Sequence, residues 1–195
     1  MSTQTPQQLL RKQMAGESDG NGETASHRHV IVVLTENTIG ALNRVVNMFS
    51  QRGFNLESLS VGETADPTVS RMTIVTTGND RIIGQVLRQL DNLVDTRLVD
   101  DVTTLNYVER ELGLVKVACD ASNRGALMEL VNIFRGKVVN ITHDDLTFEL
   151  TGPTTKINAF IGMLGDYRVL ELARSGRVAM RRDLVFEDGN DPRTR

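Results

Sequence analysis

The sequence has no tryptophan and few aromatic residues of any kind. Aromatic side chains account for 4% of the 195 residues, and the formal net charge is −3. Sheets that read single-stranded RNA stack bases on exposed aromatic rings, and nucleic acid binding in general needs a basic surface. A tandem of RNA-binding domains is therefore disfavoured, and we expect no nucleic acid partner.

Cysteine is also scarce, since Cys119 is the only one. A lone cysteine cannot form an internal disulfide, which suits a reducing cytoplasm, and its apolar neighbours predict a small buried side chain. The sequence contains no apolar run long enough to cross a membrane, and residues 1–27 lack the apolar core of a secretory signal. These features predict a cytoplasmic protein without a membrane partner.

An internal repeat is the main feature that is present. Residues 40–49, GALNRVVNMF, return as residues 125–134, GALMELVNIF, 85 positions later. An Asn–aliphatic pair follows each copy, Asn55-Leu56 and then Asn140-Ile141, again 85 positions apart. The repeat indicates that one small structural unit occurs twice.

The hydrophobic pattern gives the same order of elements in both copies. Short β-branched runs predict strands, and apolar residues at i, i+3, i+4 and i+7 predict helices. The order is β-α-β-β-α-β, the ferredoxin-like arrangement. We therefore predict an α+β protein of two tandem ferredoxin-like domains.

The predicted domain boundaries follow from changes in composition along the chain. Polar residues 1–27 predict a disordered arm, and residues 183–195 a frayed tail. The predicted domains are residues 28–105 and residues 112–182. Residues 106–111, NYVERE, are predicted to form a short polar linker between them.

The candidate ligand site lies where the first strand gives way to the first helix. A helix N-terminus presents unpaired N–H groups and a partial positive charge, which suit a carboxylate. Gly40 lets a ligand approach this backbone, and Asn37 offers both a donor and an acceptor. The segment therefore suits the zwitterionic end of an amino acid. The alternative interpretation is that Asn37 merely caps the helix and Gly40 eases a turn.

The second copy differs at this place. Ser122 stands where Asn37 stands in the first copy, and Arg124 replaces Ile39. An arginine would change both the size and the charge of a pocket. We therefore expect the second copy to have another role.

No catalytic motif is present, and no metal site is predicted. The sequence contains no nucleophile elbow, phosphate loop or zinc-type spacing. His143, Asp144 and Asp145 form an acidic turn for which we expect solvation, not metal binding. We predict that the chain has no catalytic residues and binds no cofactor.

Six segments carry a family resemblance. They are residues 34–42 (LTENTIGAL), 49–59 (FSQRGFNLESL), 70–74 (SRMTI), 109–116 (ERELGLVK), 133–136 (IFRG) and 173–176 (ARSG). The first segment resembles an ACT domain, a ferredoxin-like amino-acid sensor. Together, in order from about His29 to Arg182, they resemble the small regulatory subunit of acetohydroxyacid (acetolactate) synthase.

The resemblance implies both an assembly and a ligand. ACT domains of this family form a homodimer with a continuous eight-stranded sheet, and valine or another branched-chain amino acid binds between the chains. By resemblance, Asn37, Gly40 and Ala41 line one wall of the effector site, and Asn55 and Leu56 of the partner chain line the other.

The resemblance also implies a non-catalytic role. Such a subunit activates a large catalytic subunit that holds thiamine diphosphate, magnesium and FAD, and it transmits feedback inhibition. The alternative is a free-standing amino-acid-sensing ACT module that regulates another enzyme.

Overall fold

The computed structural model describes residues 26–183. The predicted N-terminal arm lies almost wholly outside the described residues, and so does the predicted tail beyond Asp183. No helix within residues 26–183 is long and apolar enough to cross a bilayer.

The first half of the described chain forms a four-stranded antiparallel sheet with two helices on one face. Its strand order is β2-β3-β1-β4. The elements are β1 (His27–Glu36), α1 (Ala41–Gln51), β2 (Leu56–Glu63), β3 (Val69–Gly78), α2 (Asp80–Asp91) and β4 (Thr96–Asp101). The predicted β-α-β-β-α-β order is therefore confirmed for this half.

The central strand β1 is buried on both faces, which explains its continuous apolar run. Ile31 and Val33 belong to the core beneath the helices, together with Phe49 of α1. Val30 and Val32 lie in a separate apolar cluster on the opposite face. Because strand side chains alternate between faces, a strand covered on both sides reads as uninterrupted apolar sequence.

The second half repeats this arrangement and adds one strand. The sheet order β6-β7-β5-β8 matches that of the first sheet. The elements are β5 (Tyr107–Ala118), α3 (Arg124–Ile133), β6 (Lys137–Ile141), β7 (Asp145–Gly152), α4 (Thr154–Met163), β8 (Val169–Arg174) and β9 (Val178–Arg181). Phe148 and Phe160 pack edge to face in its core, with ring centroids 6.1 Å apart.

The structure corrects the predicted linker at residues 106–111. Strand β5 begins at Tyr107, so most of that segment is strand. Tyr107 pairs with Arg181 and Arg110 with Val178, which shows that the segment is held by β9. Backbone pairing does not require apolar side chains, so the polar composition of the segment did not reveal the strand.

Strand β9 joins the two halves and was not predicted from the sequence. Ala179 is fully buried and completes the apolar cluster of Val30, Val32, Val75 and Val102. The preceding turn adds a hydrogen bond of 2.9 Å from Ser60 Oγ to the Ser175 carbonyl. The C-terminal strand thus covers part of the face of the first sheet that lies opposite its helices.

The two copies are not equivalent in the segment after the first helix. Asn55 precedes β2, whereas Asn140 lies inside β6 and pairs with Thr147. Thr147 lies five residues before the glycine that ends β7, as Thr73 lies five residues before the glycine that ends β3. Thr73 pairs with Ser60, so Ser60 and not Asn55 is the counterpart of Asn140. The repeated Asn–aliphatic pair therefore marks different positions in the two folds.

Candidate functional site

Helix α1 is preceded by a glycine that the backbone geometry requires. Gly40 is the N-cap residue with a φ of +89°, in the left-handed region that L side chains rarely adopt. No side chain of residues 26–183 caps this helix by a hydrogen bond, and its first turn contains no acidic residue. The interpretation of Asn37 as a helix cap is therefore wrong, and the helix start keeps its electropositive character.

Asn37 instead fastens the end of β1 to the β2–β3 hairpin. Its Nδ2 donates to the Pro67 carbonyl at 3.0 Å and to Glu63 Oε1 at 3.2 Å. Its Oδ1 accepts from Ser70 Oγ at 3.0 Å. An amide oxygen has two lone pairs, and the Ser70 hydroxyl uses one of them. Asn37 is thus positioned by the fold and retains acceptor capacity at an exposed surface.

Charged residues that the sequence analysis did not single out surround the helix start. Arg44, one turn into α1, forms an ion pair through Nε with Asp95, whose side chain is only 13% exposed. A Cβ added to Gly40 would lie 3.1 Å from Arg44 Nη1. The i+4 spacing from Gly40 places Arg44 on the same helix face, which was the available signal.

The apolar side chains beside this helix start face solvent. Ile39 is fully exposed, and Leu42 is 42% exposed. Ala41 differs, because its side chain is buried and its N–H donates to the Thr38 carbonyl at 3.2 Å. Of the predicted wall of Asn37, Gly40 and Ala41, the first two present accessible groups and Ala41 contributes mainly to packing.

Asn55 and Leu56 lie at the other end of α1, away from Asn37 within one chain. Eleven helical residues separate the two ends, a length of about 16 Å. Asn55 is exposed and its carbonyl accepts from Thr76 Oγ1 at 2.7 Å, while Leu56 packs against the core. A single chain therefore does not bring the two predicted walls together.

The corresponding helix start in the second half has different chemistry. Asp120 accepts hydrogen bonds from the Ser122 hydroxyl and backbone and from the Asn123 backbone. These bonds, led by the Ser122 hydroxyl, hold the pKa of the Asp120 carboxyl below its usual value. Arg124 donates from Nη2 to the carbonyls of Thr142 and His143 at 2.9 and 2.8 Å. A fixed carboxylate thus stands where a ligand carboxylate would have to approach.

The fold and the first helix start define a tandem of ferredoxin-like domains whose first member is of the ACT type. Residues 31–97 match the family model described as the AHAS small subunit-like ACT domain. Residues 110–183 match the model described as the small subunit of acetolactate synthase. The two models together cover more than half of the chain.

Individual relatives agree with the family models. The chain is 46% identical over 153 residues to a probable acetolactate synthase small subunit of Archaeoglobus fulgidus, covering 78% of this chain and 96% of that protein. It is 42% identical over 156 residues to the acetolactate synthase isozyme 3 small subunit of Escherichia coli, covering 80% and 96%. The crystal structure of the acetolactate synthase small subunit from Thermotoga maritima is similar with a TM-score of 0.75 at 38% identity, covering 82% and 99%. This chain belongs to the acetolactate synthase small-subunit family.

Proposed function

We propose that this chain is a non-catalytic regulatory subunit that activates the large catalytic subunit of acetolactate synthase. It also makes that enzyme sensitive to feedback inhibition by valine or another branched-chain amino acid. Membership of the small-subunit family carries this proposal. The thiamine diphosphate, magnesium and FAD of the reaction belong in this proposal to the catalytic partner.

The proposed effector site is the start of α1. The effector carboxylate faces the first-turn N–H groups that no side chain caps, where the helix dipole favours negative charge. The charge of the nearby Arg44 is balanced by Asp95. The effector ammonium faces Asn37 Oδ1 and the Glu63 carboxylate. Both groups are held in place, because Ser70 Oγ donates to Asn37 Oδ1 at 3.0 Å and Asn37 Nδ2 donates to Glu63 Oε1 at 3.2 Å. The exposed side chain of Ile39 provides apolar surface for an aliphatic effector.

The second wall of the site comes from another copy of the chain. Strand β2 is an edge strand of its sheet, and Asn55 lies immediately before it. Pairing of two such edges through their free backbone groups would form an eight-stranded sheet and bring Asn55 and Leu56 of one protomer towards α1 of the other. This homodimer reconciles the predicted site with the separation of its two walls within one chain.

Feedback inhibition requires that the effector bind two states of the holoenzyme with different affinity. Its effect cannot exceed that difference, and couplings of this kind are typically about 1–3 kcal/mol. An effector held between two protomers meets this requirement, because it favours the paired arrangement over any arrangement in which the two walls separate.

The test uses the purified full-length chain and the purified large subunit. We expect the mixture to form acetolactate from pyruvate faster than the large subunit alone, and valine to reverse part of the gain. Calorimetric titration with valine, leucine and isoleucine then ranks the effectors.

Two outcomes would separate this proposal from its alternative. If the chain binds a branched-chain amino acid but neither binds nor activates the large subunit, it is a free-standing sensor of another enzyme. Acetolactate formation by this chain alone would contradict the assignment of a non-catalytic role.

A further inference from the structure

A cluster of possible metal ligands lies at the opposite end of the first sheet from the proposed effector site. His27 and His29 are two residues apart in β1, so their side chains project from the same face. Gly78 pairs with His27, and Asp80 begins α2 two residues later. The antiparallel pairing of β1 and β3 therefore places the first residue of α2 over both imidazoles.

The three side chains converge at distances suited to one ion. His27 Nε2 lies 3.4 Å from Asp80 Oδ1, and His29 Nε2 lies 3.8 Å from the same oxygen. The ligand atoms of all three residues lie within 4.8 Å of one another. Ligands about 2.0–2.1 Å from a tetrahedral zinc ion are separated by about 3.3 Å, so a small movement of the exposed residues would complete the geometry.

A buried polar atom in this cluster lacks a partner. His29 is 4% exposed, and its Nε2 has no hydrogen-bond partner among the described residues. The 3.8 Å to Asp80 is longer than a hydrogen bond. A buried polar atom without a partner is costly in a folded protein, and an ion bound at this nitrogen would satisfy it.

The other nitrogen of His29 is held in the manner of a metal-binding histidine. Nδ1 lies 2.9 Å from Asp101 Oδ2. Asp101 in turn accepts hydrogen bonds from the backbone and the hydroxyl of Thr103. A carboxylate that accepts from Nδ1–H orients the ring and turns Nε2 towards a cation.

We propose that His27, His29 and Asp80 bind a divalent transition-metal ion of the zinc class, with Asp101 as the residue that orients His29. Two imidazoles and one carboxylate suit zinc, cobalt or nickel and do not suit magnesium, which prefers oxygen ligands. The fourth position faces solvent, because Asp80 is 85% and His27 46% exposed. The ion would join the start of β1 to the start of α2 and stabilise the first domain by binding only its folded state.

The experiment is a titration of tag-free, chelator-treated full-length protein with ZnCl₂, followed by calorimetry and by thermal unfolding. We expect one saturable site per chain and a rise in the unfolding temperature. Co²⁺ should give the same stoichiometry with the visible absorption of a four- or five-coordinate ion, and Mg²⁺ should not compete. His27→Gln and Asp80→Asn should each weaken zinc binding at least about tenfold, and Asp101→Asn about tenfold through orientation of His29.

His143→Gln is the matched control, because His143 is the one remaining histidine of the chain and lies in the exposed β6–β7 turn. It should leave zinc binding unchanged. His27 and Asp80 are both exposed, so their variants test the site without disturbing the core. Absence of saturable binding, equal binding by His27→Gln and the unaltered protein, or loss of binding in His143→Gln would each overturn the proposal.

Discussion

Arg71 of β3 donates a hydrogen bond of 2.8 Å from Nη2 to the backbone carbonyl of Ala179 in β9. The N–H of Ala179 donates to Thr73 Oγ1 at 3.3 Å. Both backbone groups of this buried residue are therefore satisfied by side chains of the first sheet. The C-terminal strand is part of the packing of the first domain and not a separate appendage.

This packing predicts a strong effect of a charge at position 179. Ala179→Asp would place a carboxylate against Val30, Val32 and Val75, and we expect it to lower the free energy of unfolding by about 3 kcal/mol or more. Val178→Asp is the matched control, since Val178 is 51% exposed on the same strand. Urea denaturation of both variants measures the difference. Equal loss of stability in the two would contradict the described burial of β9.

A partly buried ion pair predicts the effect of removing one partner in the second domain. Arg174 donates from Nε and Nη2 to the two oxygens of Glu111, both at 2.7 Å, and Thr154 Oγ1 adds a bond of 3.0 Å. Arg174→Met leaves the buried carboxylate without its partly exposed cation, and we expect a loss of about 1–3 kcal/mol. The double variant Glu111→Leu with Arg174→Met removes both charges and should lose less. Chemical denaturation of the two variants provides the comparison.

Glu111 also predicts a dependence of stability on pH. Burial alone would raise the pKa of this carboxyl, but the hydrogen bonds and charge of Arg174, aided by Thr154 and Arg177, outweigh burial and lower it. Because the folded pKa lies below the unfolded value of about 4.3, the stabilisation is present above that pH and disappears as pH falls through the folded pKa. Glu111→Gln should lack this part of the acid sensitivity. The prediction would be refuted if the free energy of unfolding fell equally with decreasing pH in both proteins.

Gly40→Asp tests the proposed effector site. The substitution places a negative charge at the helix start, at a φ of +89° and close to Arg44. We expect valine affinity to fall at least about tenfold, or ~1.4 kcal/mol, while activation of the large subunit is retained. Gly125→Asp is the control, because Gly125 occupies the repeated position and a Cβ there meets nothing within 4 Å. If Gly125→Asp reduces valine affinity as much as Gly40→Asp does, the proposed division of roles between the copies fails.

Asn37 and Asn55 test whether the site spans two protomers. Asn37→Ala and Asn55→Ala should each weaken valine binding by about 1–3 kcal/mol, because each would remove a polar partner from a desolvated zwitterion. Asn140→Ala is the control, since Asn140 lies within β6. A mixed dimer of the two variants retains one intact site in the proposed arrangement, and calorimetry should detect that site. Unchanged affinity in both single variants would rule the arrangement out.

Several of these features follow from local sequence and were predictable. The period-two and period-3.6 patterns gave the order of both ferredoxin-like units, because each short strand or helix must bury one side of itself. The family motifs indicated the small-subunit family, and the comparisons confirmed it. Gly40 was singled out by its position before a helix, and its positive φ supplies the physical reason.

Contacts between distant segments were not predictable in the same way. Strand β9 is only four residues long and buries one of them, Ala179, so it is too short to show a clear period-two pattern. Residues 107–110 are held as strand by β9, and Glu111 pairs with Gly152 of β7. Asn37 was interpreted as a possible helix cap, yet Pro67 and Ser70, about thirty residues further along the chain, hold its side chain.

The sequence by itself determined the two units, their internal order and the residues at the start of α1, since these depend on neighbours a few positions apart. Only the tertiary structure decided how the units join and that His27 and His29 meet Asp80. Each of these depends on a contact between residues some fifty to more than one hundred positions apart in the chain. Such contacts are set by the packing of whole sheets and leave no periodic signal in the local sequence.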